Sequence, residues 1–508
     1  MPDTGTKVKS LTQLAEITAK ARVEGLRVVH CHGVFDLIHP GHIRHFQAAR
    51  SLGDLLVVTL TADEYVNKGP GRPVFNQRLR AETVAALEAV DYVAIDDHPN
   101  AVEAIRQLRP AFYVKGIEDA RHGDEAGDLE QEAAAAEAVG GRLHLTNEVS
   151  FSSTRLLNEY FPVFSPEADD FLRQFRRRWS ADQVIAALRD LRSLRVLVVG
   201  DIIIDEYHFC KAIGKSSKSA TLTARFLSAE RHAGGVLAVA NHVAGFAGEV
   251  HLLTYLGDPV ADEPFIREHL SSNVRVSLVR QPGRHNVVKR RYVEPFQVTK
   301  MFEVMWLDGP EPLSEAEDEL LARLGPLAKQ CDLIIAADFG HGSVGSRTVE
   351  GLSALSTFLA VNAQTNSANH GYNLVTKYPR ADYVCIDEEE LRLANHSPNG
   401  AIEMLAARTA AGLGCRALAV TRGSRGSLTW TPQVGFVQTP VFSASVVDSV
   451  GAGDAYLSVT ALCARAGYPP ELIGFVGNCV GALAVRIIGN REPVKPEPLF
   501  QFITTLLK

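Results

Sequence analysis

The sequence predicts an α/β protein of two parallel-sheet domains in tandem, the second carrying a small β lid. Two stretches in which short apolar runs alternate with helix-like periodicity predict the sheets, over residues 1–160 and from residue 194 to 508. Three strand-like runs outside the second alternation, 219–227, 286–293 and 298–305, predict the lid. A chain of 508 residues is also too long for a single core.

In the first domain, strand-like runs at 27–31, 54–60, 91–95, 111–115 and 142–146 are separated by helix-like stretches near 41–51, 76–89, 99–108 and 125–139. That order implies a parallel sheet covered on both faces. Residues 161–193 read as a linker. Two prolines, Pro162 and Pro166, open it, and Arg173, Arg176, Arg177 and Arg178 follow as a solvated helix face. The second domain begins with the run Val196-Leu197-Val198-Val199-Gly200-Asp201.

Composition excludes several classes. Apolar content of 46% and charged content of 22% are those of a globular protein. A net charge of −7 gives no global attraction to nucleic acid or to an anionic membrane, so neither is expected as a partner. No run reaches the roughly 20 apolar residues that span a bilayer. Residues 1–9 are polar and lack a signal-peptide core. The seven cysteines are scattered and contain no C-x-x-C pair, which points to buried thiols in a reducing cytoplasm.

Near the front, Gly33-Val34-Phe35-Asp36 precedes His39-Pro40-Gly41-His42 between an apolar strand and a helix start. A spacing of three puts both imidazoles on one side of a helix mouth, where free N–H groups and the helix dipole already favour a phosphate. Two histidines there can donate hydrogen bonds to an α-phosphate as charge builds during displacement. Near the back, Asp448-Ser449-Val450-Gly451-Ala452-Gly453-Asp454 also opens a helix. Gly451, Ala452 and Gly453 let backbone N–H groups close on phosphate oxygens, and Asp454 can accept a proton from an attacking hydroxyl.

The front segments resemble the cytidylyltransferase-like nucleotidyltransferases. The loop Lys68-Gly69-Pro70-Gly71-Arg72-Pro73, the strand end Val114-Lys115-Gly116 and the helix opening Phe151-Ser152-Ser153-Thr154-Arg155 fit the same family. The resemblance implies a Rossmann-like domain in which His39, His42 and Lys68 are catalytic. It implies nucleotide binding by Gly33, Phe35, Asp36, Lys115, Gly116, Ser152, Ser153, Thr154 and Arg155. Lys68 and Lys115 also read as solvated lysines, and Ser152 to Thr154 as a plain helix cap.

The back half resembles the ribokinase-like (PfkB) sugar kinases, with Ser449 where Thr is usual. In Gly200-Asp201-Ile202-Ile203-Ile204-Asp205 the resemblance places substrate hydroxyls on Asp205, and Asp201 is expected to bind substrate beside it. Gly234 and Gly235 match the glycine pair at the sugar, and Asn241 lies nearby. Thr421, Gly423 and Gly426 match the strand-end turn at the nucleotide. Glu390, in Asp387-Glu388-Glu389-Glu390, matches the carboxylate that helps organise Mg²⁺ through water. Asp387 reads equally as a helix N-cap.

The pairing resembles the bifunctional heptose-activating enzymes, with the domain order reversed. It implies a kinase acting from ATP on a heptose 7-phosphate-like sugar. It implies a nucleotidyltransferase joining a heptose 1-phosphate-like sugar to a nucleotide from ATP or CTP. Partners would be a phosphosugar and a nucleoside triphosphate, with a homodimer through the lid strands. The kinase half departs from the pattern at Ala238, where Asn is usual, at Val361-Asn362-Ala363-Gln364, where a basic residue is missing, and over residues 365–373. Those departures leave two alternatives open: another acceptor, such as a pentitol phosphate, cyclitol or other polyol, or a degenerate kinase kept as a scaffold.

Overall fold

The computed structural model describes residues 7–66, 73–116, 128–146, 164–258, 261–296, 298–309, 311–443 and 446–507. The chain divides into two compact units, 1–163 and 164–507.

The first unit is built on six strands: β1 (Val8–Lys9), β2 (Val28–Gly33), β3 (Leu55–Thr61), β4 (Tyr92–Asp96), β5 (Phe112–Gly116) and β6 (Arg142–Thr146). They pair in the order β1-β4-β3-β2-β5-β6, all parallel. Alternate residues of β2 and β3 serve opposite faces. Val29, Cys31, Leu56, Val58 and Leu60 join the helices Pro40–Arg50 and Gln77–Ala85 in one core. Val28 and Val57 face the helices Leu11–Val23 and Val102–Leu108 in another. The sequence reading matches β2 to β6 within two residues at each end but contains neither β1 nor the helix Leu11–Val23. That helix carries its own start signal, a capping box in which Ser10 accepts from the Gln13 N–H and Gln13 accepts from the Ser10 N–H.

The second unit has a nine-stranded sheet and a four-stranded one. The strands are β7 (Arg195–Gly200), β8 (Ile202–Lys215), β9 (Leu222–Gly235), β10 (Glu249–Asp258), β11 (Val274–His285), β12 (Val287–Glu294), β13 (Thr299–Trp306), β14 (Leu333–Asp338), β15 (Phe358–Ala363), β16 (Tyr383–Asp387), β17 (Ala417–Thr421), β18 (Ser427–Thr431) and β19 (Gly435–Thr439). The large sheet runs β11-β10-β7-β14-β15-β16-β17-β18-β19, parallel as far as β17 and antiparallel beyond it. Val196 and Val198 face one core, Leu197 and Val199 the other, so helices cover both sides. The small sheet, β13-β12-β8-β9, is the lid. Its longest hairpin, β8 with β9, is missing from the sequence reading on the β8 side, because the apolar run 202–204 continues the motif of β7 without a turn signal.

Residues 161–193 do not behave as a linker where they are described. Helices Pro166–Phe175 and Ala181–Asp190 bury Leu172, Phe175, Val184 and Leu188 in the core of the second unit. The Arg176 guanidinium donates to the Leu506 carbonyl at 2.6 Å. The apolar spacing of four and three along these helices is the signal that the arginines mask.

Helices Ala452–Arg465 and Pro470–Ala484 pack so closely that a Cβ on Gly477 would run into the Tyr456 ring. Gly477→Ala should therefore cost about 1–3 kcal/mol. All three tryptophans, Trp179, Trp306 and Trp430, lie in the second unit. Urea unfolding followed by tryptophan fluorescence thus reads this loss without interference from the first unit.

Candidate functional sites

In the first unit the strand order turns back between β2 and β5, so a crevice opens beyond their carboxyl ends. The chain leaves β2 at Gly33. Phe35 then adopts φ 48°, which turns the backbone toward the helix Pro40–Arg50. The Phe35 ring is buried against Phe46 and edge-on to His42, with centroids 4.9 and 5.4 Å away. It shapes the floor of the site. Asp36 is likewise structural in position: its carboxylate accepts from the Val74 and Phe75 N–H groups at 2.8 and 2.9 Å.

His39 caps the helix. Its Nδ1 accepts from the Gly41 N–H at 3.1 Å, so in the neutral ring the proton sits on Nε2. The His39 and His42 rings lie 3.9 Å apart, as the spacing predicts. At the end of β5, Lys115 reaches the buried Glu132 carboxylate at 3.0 Å, and Glu132 also accepts from the Tyr113 hydroxyl and the Ala101 N–H. Gly116 ends the strand. Lys68, Ser152, Ser153, Thr154 and Arg155 lie outside the described residues.

Beneath these groups runs a polar layer absent from the sequence reading. His30 Nε2 and His32 Nδ1 both meet Thr59 Oγ1, at 2.7 and 2.8 Å. Burial first, then the Lys115 charge, pulls His30 down to about 3 and His32 well below its usual value, so both are neutral. Arg80, 1% exposed, is the strut of the site. It donates to the Phe75, Val34 and Thr61 carbonyls and pairs with Asp63 at 2.7 Å. In the sequence Arg80 looks like its exposed neighbour Arg78, and only burial tells the two apart.

In the second unit the strand order turns back between β7 and β14. Asp201, just past β7, accepts from the N–H groups of Phe339, His341 and Ser343 at 3.0, 3.4 and 2.8 Å. Its carboxylate ties down the loop after β14. Asn241 is engaged with backbone in the same way. Its amide donates to the His269 carbonyl and accepts from the Ser271 N–H, so it orders the segment leading into β11.

Asp205, on β8, is placed differently. Arg291 of β12 pairs with one of its oxygens and Asn490 donates to the other at 3.0 Å. A Cβ on Gly234 would strike this carboxylate, and one on Gly235, at φ 56°, would crowd the Asp201 carbonyl. The glycine pair is therefore required by close approach. Gly451, at φ 83°, starts the helix Ala452–Arg465, and a Cβ there would strike Asn490. First-turn N–H groups at such a start have no intrahelical partner. Asp454 lies in that first turn. Burial and then the Asp205 charge push its carboxyl up to about 7, with Lys289 acting against them. Asp448 anchors the loop: it pairs with Lys300 of β13 at 2.6 Å and accepts from the Tyr207 hydroxyl and the Gly489 N–H.

Farther along the sheet edge, Asp387 and Glu390 form a capping box, each side chain accepting from the other's N–H. Asp387 is thus an N-cap. Burial and the Asp387 charge raise Glu390 well above the carboxylate range. Two crowded carboxylates are relieved by a cation, but no group of three or more metal-ligating side chains occurs among the described residues. The pair therefore suits a hydrated divalent ion more than a stripped one. Thr421 ends β17. The turn after it has Gly423 at φ 55° and Gly426 at φ 81°, and a Cβ on Gly426 would strike the Thr439 carbonyl.

The unusual stretch 365–373 wraps the end of β14. Asn366 and Asn369 both donate to the Phe339 carbonyl, and Asn373 donates to the Asp338 carbonyl. Lys377 pairs with the fully buried Asp338 at 2.6 Å.

Comparison with known proteins agrees with both halves. Residues 193–497 match the pfkB family of carbohydrate kinases, and residues 30–159 match the cytidylyltransferase-like family. The bifunctional protein HldE of Geobacter sulfurreducens is 42% identical over 164 residues, 32% of this chain and 32% of its own length. The bifunctional protein HldE of Gluconobacter oxydans is 39% identical over 159 residues, 31% of this chain and 32% of its own. The chain spans about a third of the length of these curated relatives. Phosphofructokinase-2 from Escherichia coli superposes with a TM-score of 0.50 at 13% identity, covering 62% of this chain and 100% of that one, a likeness of fold.

Arg80→Met removes every polar contact of the strut and leaves the Val34 and Thr61 carbonyls without it. It should destabilise the first unit by about 3–5 kcal/mol. Calorimetry should show the first unit's transition lowered and the second unit's unchanged.

Proposed function

The chain belongs to the pfkB family of carbohydrate kinases and carries a cytidylyltransferase-like domain ahead of the kinase, and from that premise we propose a bifunctional enzyme of nucleotide-sugar synthesis. The kinase half transfers the γ-phosphoryl group of ATP to a hydroxyl of a heptose 7-phosphate-like sugar. The nucleotidyltransferase half joins a heptose 1-phosphate-like sugar to a nucleotide with release of pyrophosphate. The observation that supports this reading most is Asp454, a recessed carboxyl at a glycine-started helix mouth, held near neutrality and influenced by Asp205.

In the kinase half, Asp205 orients the acceptor while Asp454 takes the proton of its attacking hydroxyl. The oxygen bonds to the γ-phosphorus, the bond to ADP breaks, and the N–H groups at Gly451 to Gly453 receive the developing charge. A divalent cation, which we take as Mg²⁺, would be held through water by Glu390 beside Asp387 and would supply charge compensation for the phosphates. Thr421, Gly423 and Gly426 border the nucleotide. In the other half, a sugar-phosphate oxygen attacks the α-phosphorus and pyrophosphate leaves. His39 and His42 donate to the α-phosphate, Lys115 serves the outer phosphates, and Lys68 with Ser152, Ser153, Thr154 and Arg155 completes the triphosphate site. ATP is the expected nucleotide, and CTP is the competitor to test.

The commitment of Asn241 to His269 and Ser271 favours a second acceptor as the alternative, a pentitol phosphate, cyclitol or other polyol, because the acceptor pocket is then drawn by other side chains. The lid exposes Ile213, Leu222, Phe226 and Phe302, an apolar set that suits a second copy of this chain. The cysteines carry no disulfide among the described residues, in keeping with a cytoplasmic setting.

The purified full chain, given ATP or CTP with heptose 7-phosphate and heptose 1-phosphate separately, should yield ADP from the first sugar and pyrophosphate from the second. Turnover of neither sugar would sink the heptose assignment. Asp454→Asn should lower the kinase reaction by about 10²–10⁴-fold and leave pyrophosphate release unchanged. His39→Ala should do the reverse.

The pH dependence follows from the raised Asp454 pKa. A base must be ionised, so kinase kcat/KM should rise as pH passes about 7. The folded carboxyl holds its proton to higher pH than the unfolded one, so this group's contribution to stability falls as pH rises from about 4 to about 7. Asp454→Asn should therefore stabilise the second unit more at pH 8 than at pH 5, as read by tryptophan-monitored urea unfolding.

A further inference from the structure

The inward face of β12 carries Val287, Lys289, Arg291 and Val293, so a strand that buries one face against the protein buries two cations. Arg291 is matched, by Asp205 and by Glu303 at 2.7 Å. Lys289 is 8% exposed and makes no hydrogen bond or ion pair among the described residues. Its register partner across β8 is Asp205. The charges that act on it are those of Asp205, Arg291, Glu303 and Asp454.

A lysine held in a cleft with its stem buried and no bonded anion is costly, and it leaves a positive charge open to an anionic ligand. The two carboxylates of the cleft do not settle its charge. Asp205 already has Arg291 and Asn490 on its oxygens, and Asp454 holds its proton up to about pH 7. A second group is left over beside it. His341, in the loop held by Asp201, has a buried Nε2 with no hydrogen-bond partner among the described residues. Burial and then the Lys289 charge keep that ring neutral. Lys289 is close enough to Asp454 and to the His341 ring for their charges to be felt, and with the ring proton on Nε2 the cation and the imidazole N–H make a donor pair that suits a phosphate oxygen.

We propose that Lys289, with His341 beside it, is a phosphate-binding subsite of the kinase cleft. It takes either the phosphoryl group in transit or a phosphate already carried by the acceptor. The inference rests on the kinase reading above and deepens it.

The test uses the full-length protein, Lys289→Met, which keeps the apolar stem, and Lys289→Arg, which keeps the charge. Tryptophan fluorescence reports melting of the second unit alone. Inorganic phosphate should raise the melting midpoint of the wild type and of Lys289→Arg. Lys289→Met should melt higher than the wild type without phosphate, because the unmatched charge is gone, and should lose most of the phosphate response. Titration of β,γ-imido-ATP and of ADP, together with the KM for heptose 7-phosphate, then separates the sources. A loss of about tenfold or more in imido-ATP affinity with ADP unchanged assigns the transferred group. A KM raised to a similar extent with nucleotide affinities unchanged assigns the acceptor's phosphate. A phosphate response, nucleotide affinities and KM all equal to those of the wild type would overturn the proposal. Where Lys289→Met does not fold, Lys289→Gln is put through the same titrations and the same outcomes decide. Failure of the wild type to phosphorylate any phosphosugar would sink the kinase reading, while the phosphate response would still decide the role of Lys289.

Discussion

The Asp201 carboxylate is the constraint on which the second unit's chemistry depends. It stands where the sheet reverses its strand order, and three backbone N–H groups from the loop after β14 converge on it. Two neighbouring parallel strands are thereby clamped at the ends that border the cleft. Loop closure by a buried, multiply bonded carboxylate is strong because its remaining alternative is an unsolvated charge. The clamp sets the position of His341, and the asparagines at 366, 369 and 373 brace the same loop from the far side.

The first unit solves the same problem with the opposite charge. Arg80 collects carbonyls from the segment after β2, the end of β3 and the segment before its own helix. A guanidinium suits this role because its planar fork can hold several acceptors at once without losing its charge. The histidine pair sits on the helix that follows this bound segment, so the mouth of that helix is fixed from below while its rings remain at the crevice.

What could be read from the chain and what could not divide along sequence distance. His39 with His42, and Gly451 with Asp454, act through neighbours a few residues apart, and a helix start turns that spacing into geometry. The sheets were legible for the same reason, since alternation within a strand is local. The partners that tune these groups come from far away: Asn490 meets Asp205 across 285 residues, and Lys300 meets Asp448 across 148. No periodicity carries such a pairing. Asp201 and Asp205 illustrate the limit, because both lie in one motif and both are acidic. Only the fold spends the first on backbone and turns the second toward Arg291 and Asn490. Lys289 and Arg291 were invisible because a strand with three cations in a row reads as solvent-facing until its burial is known.

The asparagine brace around β14 also depends on its amides staying amides. Each of these amides is used as a donor, toward the Phe339 carbonyl or toward Asp338. Hydrolysis of such an amide to a carboxylic acid replaces the donor with a negative oxygen that faces a carbonyl or a buried carboxylate. An acid at any of these positions would thus loosen the loop clamped by Asp201 without any change in chain length.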